Sequence, residues 1–266
     1  MHNTYSTMNF NPGFDIYPTV QPMGFKYGPG VFGPSVENRS LDSIRKSLLD
    51  PTCAGPDPVY AIAMDVGKVI HKPFLIKHNL LFGAVTYAAG QLGKEPVRSQ
   101  GHVHKKARNN AMSPPEIYEI WSGRAIIYMQ EFADDNPGRC YAVEANPGEV
   151  VVVPPDWAHA TISADPKEPL TFGAWCDRNF GFEYDQVRAH KGLAWFPVYD
   201  GNNKLNWIAN INYQSSQLIE KKPDLHPELG LLPGIPIYTI FEQNPETFLY
   251  MANPELKINE WENFIA

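Results

Sequence analysis

Between Val59 and about Val198 the chain alternates short apolar runs with Gly, Pro, Asn or Asp. The runs are Val59–Met64, Leu80–Ala88, Glu116–Ile120, Arg124–Gln130, Cys140–Val143, Glu149–Val153, Ala160–Ser163 and Leu170–Cys176. Their length and spacing predict strands of a β-sandwich or barrel and no long helices. Side chains alternate across a strand, so Glu116, Tyr118 and Ile120 are expected on one face of theirs. Ser40 to Asp50 predicts a helix: Ser40 is the N-cap, Leu41, Ile44, Leu48 and Leu49 make one apolar face, and Pro51 follows its end. Before it, Met1 to about Asn38 is rich in Pro, Gly and aromatics without a helical period, which predicts an extended arm anchored by Phe and Tyr. Beyond Asn202, one strand is expected over Asn206–Tyr213 and a loop over Lys221–Pro236. Two short helices are expected at the end, opened by Asn244-Pro245-Glu246 and Asn253-Pro254-Glu255, each with Asn as cap, Pro in the first turn and Glu at the positive end. The organisation read is an arm and helix over 1–58, a barrel over 59–202 and a mostly helical extension over 203–266.

Composition narrows the function classes. The chain has 266 residues, 43% hydrophobic and 19% charged, enough to bury a core without staples. Its net charge is −7 with no basic stripe, which argues against a nucleic-acid partner. The apolar stretch Leu80 to Gly93 is too short and too interrupted for a bilayer, and the first residues do not read as a secretory leader, so no membrane partner is expected. Three scattered cysteines, Cys53, Cys140 and Cys176, make no disulfide framework and fit a reducing, cytoplasmic location. Cys176 reads as a small buried hydrophobe, not a nucleophile.

The chemistry starts at Gly101-His102-Val103-His104. On a strand both imidazoles project to one side, where two nitrogens can converge on one ion. Downstream lie Glu116, then Gly123 seven positions on, then Gly148, a valine run and Pro154-Pro155-Asp156-Trp157-Ala158-His159. Together these resemble the two-part signature of the cupin barrel, and the likeness implies an all-β cupin double-stranded β-helix, or jelly roll. It implies that His102, His104, Glu116 and His159 hold a divalent metal with open coordination positions, a catalytic arrangement. The sequence departs from the pattern at Asp156, where Gly is usual, and at Ser163, where Asn is frequent. It also carries a longer gap between His104 and Glu116, an insertion over Lys105–Pro115 expected at the barrel mouth.

The flanking segments Gly90-Gln91-Leu92-Gly93-Lys94-Glu95, Glu116-Ile117-Tyr118, Pro147–Pro155, Trp157-Ala158-His159-Ala160-Thr161, Phe180-Gly181-Phe182-Glu183-Tyr184 and Lys191-Gly192-Leu193 resemble the archaeal-type, cupin-fold glucose-6-phosphate isomerases. The resemblance covers roughly residues 57 to 200. It implies interconversion of glucose 6-phosphate and fructose 6-phosphate, a phosphorylated sugar as substrate and one divalent ion per subunit (Fe2+, Mn2+, Ni2+ or Zn2+). Together with the aromatic arm it suggests a homodimer. Glu116 is placed to act as the base of an enediol route, with a metal-assisted hydride shift as the competing route, and Tyr118 to hydrogen-bond the sugar. For phosphate and sugar contacts the resemblance points to Ser99 in place of a family Thr, Gly101 and Tyr184. Thr86 is one position out of register with a family threonine whose place is held by Val85, and Phe182 replaces a family histidine. Lys94 and Arg98 are the basic side chains considered for the phosphate. Other sugar or mannose-6-phosphate isomerases, a cupin oxygenase and a non-catalytic sugar-phosphate sensor share the same metal logic.

Overall fold

The apolar runs in the middle of the chain form two antiparallel sheets that curl into a jelly-roll barrel of the cupin type. The computed structural model describes residues 6, 8–106, 110–179, 181–202 and 204–266. Outside the described residues lie 1–5 and 7 of the expected arm, 107–109 of the expected insertion, Phe180 and Asn203. The larger sheet has the order Val150–Val153, Glu116–Ser122, Thr171–Asp177, Leu80–Tyr87, Tyr60–Met64 and Glu37–Arg39. The smaller has the order Ala158–Ser163, Ala125–Gln130, Cys140–Ala145 and Leu218–Lys221. Successive strands from Glu116 onward leave one sheet for the other and return, which winds the two sheets together. Residues 97–104 close one side by running antiparallel to Ala158–Ser163, with bridges Arg98 to Ile162 and His102 to His159.

The barrel strands lie where the apolar runs predict them, and the ends of the chain depart from expectation. The helix expected over Ser40–Asp50 is one α-turn, Leu41–Ile44, followed by a 3-10 turn, Arg45–Ser47. Ser40 does cap it, accepting the Ser43 N–H. The Arg45 guanidinium donates to the carbonyls of Pro51 and Cys53, drawing the chain back across the helix end. Leu48 is buried but Leu49 is not. What reads as an arm contains a hairpin, Ile16–Val20 with Met23–Tyr27, and an edge strand of the large sheet, Glu37–Arg39. Frequent Gly and Pro in that stretch hide both.

At the other end, the boundary read at 202/203 falls inside a hairpin, Trp195–Tyr199 with Leu205–Ala209. The strand expected over Asn206–Tyr213 is that hairpin's second arm, and it stops at Ala209. Leu218–Lys221 is a strand, parallel to Cys140–Ala145, so the extension begins as sheet, takes a 3-10 turn at Pro227–Leu229 and becomes α-helical at Ile237–Gln243. The two Asn-Pro-Glu signals mark the starts of 3-10 turns, Pro245–Met251 and Pro254–Lys257, and neither Asn makes a capping bond because its backbone is held outside the usual cap geometry. Among the described residues no helix is long and apolar enough to cross a membrane.

The outer face of the large sheet carries the densest packing. Trp121, Trp175 and Phe82 are fully buried there against Tyr238, Phe241 and Phe248 from the C-terminal helices and Phe14 from the N-terminal segment. Trp175 stacks on Tyr238 at 5.7 Å between ring centres, and Phe82 meets Trp175 edge-on at 4.8 Å. A side chain at Gly173 would collide with the rings of Trp121 and Phe82, so only glycine lets them close over that strand. Glu119, fully buried on the same face, accepts the Ile237 N–H at 2.7 Å and the Trp121 indole N–H at 2.9 Å. It thereby supplies the first turn of Ile237–Gln243 with the acceptor that Pro236 at the cap cannot offer.

Burial pushes the Glu119 carboxyl up from 4.5 to about 7, against the two hydrogen bonds that favour its charged form. Its folded pKa lies above its unfolded one, so the stability it contributes is complete below about 4.5 and is lost as pH rises through about 7. Across that window the loss is at most about 3 kcal/mol. The thermal midpoint of the parent is therefore expected to gain on that of Glu119→Gln as pH falls from about 8 to about 5.5. Equal pH slopes in the two proteins would remove Glu119 as the cause.

Candidate metal centre

Three short stretches bring four side chains to one point inside the barrel. His102 and His159 are direct ladder partners: the His102 N–H donates to the His159 carbonyl at 3.1 Å and the reverse bond is 2.9 Å. Their rings therefore sit on one face, 4.4 Å apart between centres. His104 follows two positions after His102 on the same side, 4.9 Å from the His159 ring. Glu116 opens the strand Glu116–Ser122 and faces all three. One ligand atom from each of His102, His104, Glu116 and His159 lies within 4.8 Å of every other.

Hydrogen bonds fix which imidazole nitrogen faces inward. His104 Nδ1 pairs with the Pro114 carbonyl at 2.9 Å and His159 Nδ1 with the Trp157 carbonyl at 3.0 Å, so both Nδ1 atoms donate and both Nε2 atoms point to the centre. A carbonyl on the far nitrogen is the arrangement that holds a metal-binding histidine in one tautomer. Glu116 Oε2 lies 3.3 Å from His104 Nε2 and 3.2 Å from His159 Nε2, and the Tyr118 hydroxyl donates to it at 2.7 Å. His102 Nε2 is buried and has no hydrogen-bond partner. A buried polar atom without a partner is costly. A cation at the meeting point of the four ligand atoms satisfies it, so the residues fit a divalent ion.

The charges of the cluster are tied together. Burial alone would raise the Glu116 carboxyl, but its bonds to His104 and His159 outweigh that and hold it well below the usual carboxylate range. Burial opposes charge on His104, and Glu116 more than compensates, raising its pKa. For His102, burial and then the neighbouring His159 and His104 push the pKa well down, leaving a neutral ring with a lone pair to give.

A cavity opens from this cluster, lined by His102, Glu116 and Tyr118 at the cluster and by Ser99, Gln100, Thr161, Tyr60, Tyr87 and Tyr184 beyond it. Ser99 and Tyr184 are thus brought to the cavity with His102, Glu116 and Tyr118. Thr86 is not: it pairs with Ala61 and Thr171 on the opposite face of the sheet and bonds to the Thr171 hydroxyl at 3.1 Å, while Val85 faces the cavity. Gly101 adopts φ +87° and packs against Leu193, away from the cavity lining. Arg98, considered for a phosphate, is buried and fully engaged by Glu95 and the carbonyls of Ser99 and Ser47. Lys94 is exposed and does not line the cavity. Sequence reasoning missed Arg39, Tyr60 and Gln100 at the lining. Gln100 is two positions before His102, a spacing that could have flagged it, but Arg39 arrives on a strand with no local signal.

The departure at Asp156 has a structural basis. Asp156 takes φ +67°, the left-handed conformation for which glycine is the default and which Asp tolerates better than most residues. Its N–H donates to the Ser113 hydroxyl at 2.7 Å, and the Ser113 N–H donates to Asp156 Oδ1 at 3.0 Å. The insertion between His104 and Glu116 is thereby bound to the second motif, and the next residue, Pro114, is the one whose carbonyl orients His104.

A jelly-roll barrel with three inward histidines and one glutamate is of the cupin metal-site class. Residues 51–214 match the sequence profile of glucose-6-phosphate isomerase (GPI). The chain belongs to the glucose-6-phosphate isomerase family, a family of aldose–ketose isomerases. The glucose-6-phosphate isomerase of Thermococcus gammatolerans is 30% identical over 168 residues, 61% of this chain and 80% of that protein. That of Thermococcus onnurineus is 31% identical over 123 residues, 46% of this chain and 59% of its own. Among solved structures, an oxalate oxidase aligns over 47% of this chain and 54% of its own at 17% identity, with a TM-score of 0.35.

If Ser113 and Asp156 steady the carbonyl that orients His104, Ser113→Ala lowers affinity for Zn2+ about tenfold, the usual scale for a residue behind a metal ligand. Competition with a chelating dye measures this, and an unchanged affinity would detach the pair from the metal site.

Proposed function

We propose that this chain is a metal-dependent isomerase that interconverts glucose 6-phosphate and fructose 6-phosphate. The observation that carries the reading is the convergence of His102, His104, His159 and Glu116 beside a cavity that His102 and Glu116 line, in a chain of the glucose-6-phosphate isomerase family. The three imidazoles and the carboxylate would hold Fe2+, Mn2+, Ni2+ or Zn2+, all of which accept nitrogen and oxygen donors. When bound, such an ion polarises a sugar carbonyl as a Lewis acid.

The chain's own residues supply the proton handling. Moving a carbonyl between C1 and C2 of a sugar means moving hydrogen between those carbons. Glu116 Oε2 is engaged by Tyr118 and faces two imidazoles, whereas Oε1 takes no hydrogen bond among the described residues. Oε1 is the atom placed to take a proton from one carbon and return it to the other. Tyr118, buried and held to Oε2, fixes the plane of that carboxylate; burial and the adjacent Glu116 push its own pKa well above 10.0, so it stays a hydrogen-bond donor. The neutral His102 ring contributes a lone pair and no proton.

The test is to strip the protein of metal, reload it with single divalent ions and follow fructose 6-phosphate becoming glucose 6-phosphate. Turnover that returns with metal supports the isomerase; none with any ion, despite stoichiometric binding, overturns it. Run in D2O, the same reaction reads the hydrogen route: deuterium at C2 of the product requires the Glu116 proton transfer and excludes a direct hydride shift as the sole route.

His159→Ala is expected to lower kcat at least about a thousandfold, since it removes a ligand from a Lewis-acid site. Its thermal unfolding should stay cooperative because the barrel ladder needs only its backbone. Parental turnover in this variant would take the metal out of the reaction.

A further inference from the structure

Arg39 sits on the edge strand Glu37–Arg39, in a part of the chain that precedes the family match at residue 51. It is the one arginine or lysine among the described residues lining the cavity. Register explains why it points there. Arg39, Tyr60 and Tyr87 are successive partners across three neighbouring strands, and all three line the cavity. Tyr118, beside the metal ligands, is on the same face in the row of Ala174, Gly83 and Met64. The Arg39 row lies four residues further along the strands, about 13 Å at the backbone. Arg39 and the ligands His102 and Glu116 thus line one cavity, a layout for a ligand with an anionic tail.

The guanidinium is only lightly held by the fold. It bonds to the Tyr60 hydroxyl, and its ion pair is with Glu37, at 2.9 Å, a carboxylate whose side chain is 63% exposed while that of Arg39 is 27% exposed. An exposed pair of this kind is weak. Arg98, by contrast, is locked by three internal bonds, and Arg188 is bound to Gln100 and stacked 4.8 Å from the Tyr184 ring. A phosphate offers Arg39 two oxygens in the fork geometry that suits guanidinium and replaces a half-solvated carboxylate at small cost. Val85 and Phe182, which also line the cavity, offer a phosphate no side-chain donor.

We infer that Arg39 is the phosphate-binding cation of this site and that Glu37 is the internal anion the phosphate displaces. The inference rests on the proposed sugar-phosphate reading and adds a specificity-determining residue to it. Glu37 competes with the ligand, so the two positions have opposite signs.

The test measures binding of fructose 6-phosphate and of unphosphorylated fructose to metal-loaded protein by calorimetry, with KM and kcat alongside. Arg39→Gln should weaken fructose 6-phosphate about tenfold or more and leave fructose unchanged, with Arg39→Lys in between. Glu37→Gln should tighten fructose 6-phosphate about two- to fivefold, the scale of a weak exposed pair. Metal content and thermal midpoint should match the parent in all three. The inference is overturned if Arg39→Gln binds fructose 6-phosphate like the parent, if it loses both sugars in proportion, if Glu37→Gln weakens binding, or if the parent prefers fructose 6-phosphate no more than fructose. Arg39-dependent phosphate binding without turnover would overturn the isomerase reading alone; turnover indifferent to Arg39 would overturn this inference alone.

Discussion

A carboxylate removed from water must be given donors or a cation, and much of this molecule is arranged to meet that demand at Glu116. Its Oε2 is reached by Tyr118 from its own strand, by His104 from the segment that closes the barrel and by His159 from the opposite sheet. The two imidazoles and the carboxylate come from separate stretches of chain, so the cluster assembles only when both sheets have paired in register. The same requirement propagates outward. His104 and His159 can face Glu116 with Nε2 only because backbone carbonyls of Pro114 and Trp157 hold their other nitrogens.

Support for this arrangement comes from the back of the sheet as well as from its front. The strand carrying Glu116 and Tyr118 toward the cavity carries Glu119 and Trp121 away from it, into an aromatic layer built with the two ends of the chain. Trp121 and Trp175 are fully buried only because Phe14 and the helices after Ile237 cover them. The terminal segments are thus part of the packing that fixes the strand carrying Glu116. The N-terminal one also reaches the front face, through Arg39.

The sequence made the barrel legible because its strands are short, apolar and separated by breakers, and because His102, His104, Glu116 and His159 carry strong local spacing. Pairings between distant segments were not legible. Nothing near Leu218–Lys221 announces a parallel partner at Cys140–Ala145, and Glu37–Arg39 lacks the apolar alternation that marks a strand. Helix signals located the starts of Pro245–Met251 and Pro254–Lys257 but not their tighter 3-10 winding. Ile237–Gln243 went unseen because its N-terminal acceptor is Glu119, over a hundred residues away. Arg98 shows the reverse failure: a basic residue beside the motif invites a ligand role, yet its guanidinium is consumed by Glu95 and two carbonyls.

The reciprocal bonds between Ser113 and Asp156 have a historical consequence. A glycine at position 156 would tolerate the left-handed turn without help from the insertion, whereas Asp156 relies on Ser113 to hold both its N–H and its carboxylate. Neither residue can drift alone without exposing the other to an unmade bond. The pair therefore acts as a ratchet: once the longer segment had docked on the second motif, reverting to the shorter form would require two coordinated changes. Lineages that keep this aspartate should be found to keep the serine with it.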